Sequence, residues 1–201
     1  MIIKHLTSQW MAAIYTAVVS MGLTFVLGRL LGPEAFGTYS YILTLASFFF
    51  ILQDGGFKTL IFREKTLPTP GFQGHGDILF PMAFGNGLMV TAAGAALVFV
   101  LPLPYKSGIL AALICFFFQA LANFISSELK AEGKFPKEAL WQTIVRTAGA
   151  VGIIFVLCFL SRDPWVIFIG WAFGLLLALW FSPRKIPRPI FMSRDHKGIW
   201  R

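Results

Sequence analysis

The side chains able to do chemistry in this chain are few, and they recur at helical spacing inside long uncharged stretches. Gln142 and Arg146 lie four residues apart, and Gln119, Asn123 and Ser127 repeat the same step. Four residues is just over one helical turn, so each set shares a face. A guanidinium is a planar fork of donors that matches phosphate oxygens. Carboxamides carry both donor and acceptor atoms, which suits hydroxyl-rich groups. Two readings stand for each set. Gln119 and Asn123 either line a cavity or hydrogen-bond between helices. Arg146, ~12 Å along a helix that starts near Glu138, either faces an internal cavity with Gln142 or snorkels to the lipid headgroups.

Asp54 and Lys58 form a further i, i+4 pair, beside Gly55 and Gly56. On one helix face they suit a mutual ion pair that lowers the cost of insertion, or a gating contact. Asp54 falls ~27 Å along a helix that begins at Phe36. Ala12, Thr16, Ser20, Thr24 and Gly28 make a stripe of small and weakly polar residues, as either a close-packing face or a cavity wall. Gly170 and Gly174 mark a tight helix crossing. No phosphate-cradling glycine loop ending in Gly-Lys-Ser/Thr occurs, nor a His-Glu-x-x-His zinc motif or a nucleophile elbow. His5, His75 and His196 are isolated, and Cys115 and Cys158 sit inside apolar runs as small packing residues. The expectation is a protein that is not an enzyme, with no metal and no cofactor.

The elements that must position these residues follow from hydropathy. The chain of 201 residues is 57% hydrophobic and 13% charged, about half the charge of an ordinary soluble domain. Mean hydropathy is +0.73. Uncharged runs cover 6–28, 35–53, 78–105, 107–127, 147–161 and 164–183, and a spanning helix needs about 20 apolar residues. The pattern predicts an all-α membrane protein, a bundle of six transmembrane helices at about 8–31, 36–62, 78–101, 107–127, 138–160 and 165–181. These form a lobe over residues 1–181, with a basic cytoplasmic tail over 182–201. The loop 63–77, rich in proline and glycine, reads as irregular. Gly32 and Pro33 suit the end of one helix and the start of the next in a short hairpin that also holds Gly37.

Net charge is +8. In a soluble protein that charge would raise nucleic acid as a partner; here the distribution explains it. Only Arg29, Lys106 and Arg162 fall on one side of the six runs, against twelve Lys and Arg on the other, with Lys58 and Arg146 inside helices. By the positive-inside rule both termini are cytoplasmic. The first run exceeds a signal-peptide core and reads as a spanning helix.

The first hairpin carries a more specific signal. Arg29-Leu30-Leu31-Gly32-Pro33-Glu34-Ala35-Phe36-Gly37-Thr38-Tyr39 resembles the signature that opens the polysaccharide and O-antigen flippases of the MATE-like (multidrug and oligosaccharidyl-lipid) superfamily. Gln53-Asp54-Gly55-Gly56-Phe57 and Leu129-Lys130-Ala131-Glu132-Gly133-Lys134-Phe135 are similar to later steps of that family, in its order. The resemblance covers essentially the whole chain but one lobe of the family fold, which pairs two six-helix lobes around a central cavity. It implies an N-terminal half, alone or joined by a second lobe or a second copy. It implies a transporter in the bacterial inner membrane that flips an undecaprenyl-pyrophosphate-linked oligosaccharide, with the lipid-linked oligosaccharide and membrane lipids as partners. In that setting Arg146 and Gln142 are the candidates for the headgroup, Gln119 and Asn123 for sugar hydroxyls, and Asp54 and Lys58 for gating. The alternatives are a multidrug antiporter of the same superfamily, which would want a central acid, and a non-transporting scaffold or inactive fragment.

Overall fold

The computed structural model describes residues 2–66, 76–161 and 163–182. The tail 183–201, most of the loop 63–77 and Arg162 of the Ser161–Pro164 turn lie outside the described residues, so the charges read there are not placed. Among the described residues six helices follow one another: α1 (Ile2–Asp54), α2 (Phe57–Thr66), α3 (Gly76–Val100), α4 (Lys106–Ala131), α5 (Phe135–Phe159) and α6 (Pro164–Trp180). Four helical stretches are long and apolar enough to cross a membrane, and Pro164–Trp180 is a shorter apolar helix. The chain is a multi-pass membrane protein of all-α class. Its outward residues are apolar, among them Trp10, Met11, Phe25, Phe48, Phe155 and Trp180, as expected where lipid replaces water as the solvent.

At 53 residues, α1 would extend about 80 Å if straight. It does not run straight. Gly32 leaves the helical region at φ 75° and ψ 174°, a conformation essentially confined to glycine, and Pro33 follows it. Contacts on either side fix the geometry. Tyr15 and Ser20 touch Thr147 and Arg146, and Gln9 touches Phe135 and Glu138, so residues 2–31 run parallel to α5. Ile42 lies against Gly108 and Phe50 against Phe116, so residues 33–54 run parallel to α4. Trp141 of α5 reaches Ala122 of α4 and Glu138 reaches Ser126, which makes α4 and α5 antiparallel. The two halves of α1 therefore oppose each other, and the reversal is at Gly32–Pro33.

Helix α4 is the centre of the bundle and packs on each of the other five. Phe124, Leu113, Ile109 and Ile125 are fully buried on it. Helix α6 crosses α5 with its backbone in contact. A methyl group added at Gly152 would collide with the carbonyl of Gly170, and one at Gly174 with the carbonyl of Ala148. Close approach of this kind supplies van der Waals attraction where no hydrophobic force draws helices together.

Several expected bounds are corrected. The helix expected over 36–62 is broken at Gly55 and Gly56, both at positive φ. Residues Arg63–Thr66, expected in a loop, are helical, as are Glu128–Ala131 and Phe135–Lys137, which leaves Glu132-Gly133-Lys134 as the link. Charged side chains prolong each helix past its apolar run. Ion pairs of Lys65 with Glu128, Lys130 with Glu138 and Lys134 with Glu132 hold that end of the bundle together.

Candidate functional site

A cavity of about 320 Å³ opens between the first half of α1, α4 and α5. Its lining includes Thr16 and Ser20 from α1, Gln119, Asn123 and Ser126 from α4, and Trp141, Gln142 and Arg146 from α5. All four residues expected at a polar cavity, Arg146, Gln142, Gln119 and Asn123, are brought together here. Helix periodicity explains why. Residues 138, 142 and 146 succeed one another by about one turn along α5, and 119, 123 and 126 do the same on the facing surface of α4. Trp141 fixes the distance between these helices, its indole N–H donating to the Ala122 carbonyl at 3.0 Å.

Arg146 lies about 16 Å along α5 from Phe135. Its guanidinium does not run toward the helix end; Nη2 donates to the Ser20 hydroxyl across the cavity. Nε is buried and has no partner. No carboxylate pairs with Arg146 among the described residues. A cation in this position is expensive in a membrane protein unless something anionic or polar meets it. Across the cavity, Gln119 Nε2 donates to Asn123 Oδ1 at 3.3 Å. That bond leaves the Gln119 oxygen and the Asn123 amide nitrogen for other partners.

Gln142 is held from below. Its Nε2 donates to Glu138 Oε1 at 2.6 Å and to the Ser126 hydroxyl at 3.2 Å. Glu138, only 1% exposed, also accepts from Ser126 Oγ and from Gln9 Nε2, each at 2.6 Å, with Lys130 Nζ at 3.3 Å. One carboxylate thus ties the start of α1 to α4 and α5 at the floor of the cavity. The sequence pattern marks Glu138 only as the start of a helix. Its i, i+4 relation to Gln142 is the signal that could have found it. Ser127, expected on the α4 stripe, is buried off the cavity, and Ser126 takes its place. Thr24 and Gly28 lie outside the cavity lining; Thr24 bonds back to the carbonyl of Ser20.

Asp54 and Lys58 lie elsewhere and apart. The positive φ of Gly55 and Gly56 ends α1 between them, so the single helix face they were expected to share does not exist. No hydrogen bond or ion pair joins them among the described residues. Instead Asn86 of α3 closes this helix end, its Nδ2 donating to the carbonyls of Leu52 and Gln53 at 3.1 Å each. Gly32 and Pro33 form the reversal of α1, and Gly37 lies in the helix that follows. Among the described residues no group of three His, Cys, Asp or Glu could hold a metal ion.

A family model described as polysaccharide biosynthesis protein matches residues 26–199. No curated protein and no solved structure matches the chain.

Proposed function

Because the chain belongs to the polysaccharide biosynthesis protein family, we propose that it is a flippase, or one lobe of one, for an undecaprenyl-pyrophosphate-linked oligosaccharide. Its setting is the bacterial inner membrane, with six spans and both termini cytoplasmic. The six spans take α1 as two, divided at Gly32, and the break at Gly55–Gly56 as a bend within the second. The alternating helix directions and the bias of Lys and Arg to one side support this topology.

One observation carries the reading: Arg146, a cation without a carboxylate partner among the described residues, in a polar cavity inside a membrane bundle, with its Nε buried and unpartnered. A flippase must move a diphosphate and a polar glycan through hydrocarbon while the lipid tail stays outside. Arginine offers charge-assisted bonds to phosphate oxygens, and the carboxamides of Gln119 and Asn123 offer partners to sugar hydroxyls; Gln142, expected beside Arg146 at the headgroup, joins them in this proposal because its amide hydrogens are taken by Glu138 and Ser126. The charge in the cavity lining is positive, which disfavours cationic drugs as cargo. Alternating access requires a second lobe to rock against this one, supplied by further chain or by a second copy.

Complementation tests the reading. In a strain lacking its oligosaccharide flippase, the wild-type gene restores glycan export, and Arg146→Ala, expressed to the same level in the membrane, does not. Full export by Arg146→Ala overturns the headgroup role.

A further inference from the structure

Glu138 touches no free space of its own, yet it decides which atom Gln142 turns to the cavity. An ionised carboxylate can only accept hydrogen bonds. At 2.6 Å from Glu138 Oε1, the Gln142 side chain must therefore place its NH₂ there and not its oxygen. Ser126 reinforces the choice. Its hydroxyl hydrogen is committed to Glu138 Oε1, so its oxygen accepts the other Gln142 N–H. Both amide hydrogens are used, and Gln142 Oε1 is left as the group for the cavity. One turn along α5, Arg146 supplies only donors, with Nε unpartnered. The α5 wall thus reads acceptor then donor over about 6 Å.

We propose that Glu138 is a positioning residue that sets this polarity. The cavity then recognises a phosphate oxygen at Arg146 and, one turn toward Glu138, a hydrogen-bond donor of the first sugar, a hydroxyl or amide N–H, at Gln142. This rests on the headgroup reading above and extends it from the diphosphate to the sugar attached to it. Gln9 and Lys130 complete the device by holding the carboxylate from α1 and α4, so that Glu138 cannot turn away when Gln142 is engaged.

The Glu138→Leu variant removes both acceptor oxygens, which releases the Ser126 hydroxyl hydrogen to donate to Gln142 Oε1 and lets the Gln142 side chain turn over. The test uses the purified full chain in nanodiscs with two probes: farnesyl diphosphate, and the same prenyl diphosphate bearing one sugar. Wild type is expected to bind the sugar-bearing probe about three- to tenfold more tightly, as one added hydrogen bond implies. Glu138→Leu is expected to erase that ratio while the affinity for farnesyl diphosphate stays within about twofold. Gln142→Ala, which removes the acceptor and leaves Glu138 in place, is expected to erase the ratio as well and carries the test should Glu138→Leu not fold. The ratio is the readout because a merely structural loss lowers both affinities together. A ratio that survives Glu138→Leu or Gln142→Ala, or a wild type with no preference for the sugar, overturns the positioning role. Arg146→Gln reports separately: unchanged binding of farnesyl diphosphate overturns the headgroup reading on which it rests.

Discussion

Along α5, Gly149 and Gly152 meet α6 through bare backbone, whereas Glu138, Gln142 and Arg146 meet α1 and α4 through long polar side chains. The two faces solve the same problem, helix association in lipid, in opposite ways. On the α6 side glycines remove side chains until carbonyls and Cα atoms touch, at Gly152 against Gly170 and at Gly174 against Ala148 and Gly149. On the α1 and α4 side the helices are kept apart by polar groups that bond one another across a cavity. The difference separates what holds the lobe together from what it does. Substitutions on the glycine face should cost folding and leave the cavity's chemistry alone, and substitutions at Arg146 should do the reverse; Glu138, which ties α1 to α4 and α5, serves both.

The sharpest break of that comparison is Gly152→Val. Its new side chain would meet the Gly170 carbonyl and the backbone of Gly174, neither of which can rotate away. Overpacking costs about 1–3 kcal/mol, and a backbone obstacle places this case at the upper end. The expected result is a loss of about 3 kcal/mol in detergent unfolding, with little folded protein recovered. A melt equal to wild type would show that α5 and α6 do not touch there.

Arg146→Gln should give the opposite pattern. Losing a charge-assisted bond is worth about 1.5–3 kcal/mol, or roughly 10- to 100-fold in affinity for a prenyl diphosphate. The melting temperature should hold or rise, because an uncompensated cation leaves the membrane interior. A variant that binds normally but unfolds early would assign Arg146 to the scaffold. Between these extremes lies Gly149→Ala, whose added methyl meets only the Trp171 side chain, at 2.9 Å. The indole can shift, so the expected cost is about 1 kcal/mol, read in the same unfolding assay.

The two faces differed in how legible they were. Gln119, Asn123, Gln142 and Arg146 could be placed on common faces because polar residues at i, i+4 inside uncharged runs turn inward together, away from lipid. The reversal at Gly32–Pro33 was equally readable, since a positive φ and a proline leave the backbone little choice. Glu138 was not, because it stands among Lys130, Lys134 and Lys137 at the end of an apolar run, where a carboxylate looks solvated. Its partners Gln9 and Ser126 are 129 and 12 residues distant, and only the folded bundle brings them in. Ser126 replaced Ser127 because three and four residues are both near one turn of helix, and hydropathy does not choose between them. The close α5–α6 seam was half visible: Gly170 and Gly174 marked α6, but their partners on α5 are Gly152 and the backbone of Ala148.

Asp54 provides the smallest expected effect and tests the same lesson away from the cavity. On an unbroken helix Asp54 and Lys58 would share a face, and removing either would forfeit a pair worth a few tenths of a kcal/mol. With Gly55 at φ 50° and Gly56 at φ 79°, the helix ends at Asp54 and restarts at Phe57, and the two side chains leave on different axes. Asp54 then stands at a helix C-terminus, where the dipole disfavours a negative charge. Asp54→Asn is therefore expected to change stability by less than about 0.5 kcal/mol, in the stabilising direction. Combined with Lys58→Gln it should be additive within about 0.3 kcal/mol. A coupling of about 1 kcal/mol between the two would mean that they pair after all, and that the break held open by Asn86 is closed in the membrane.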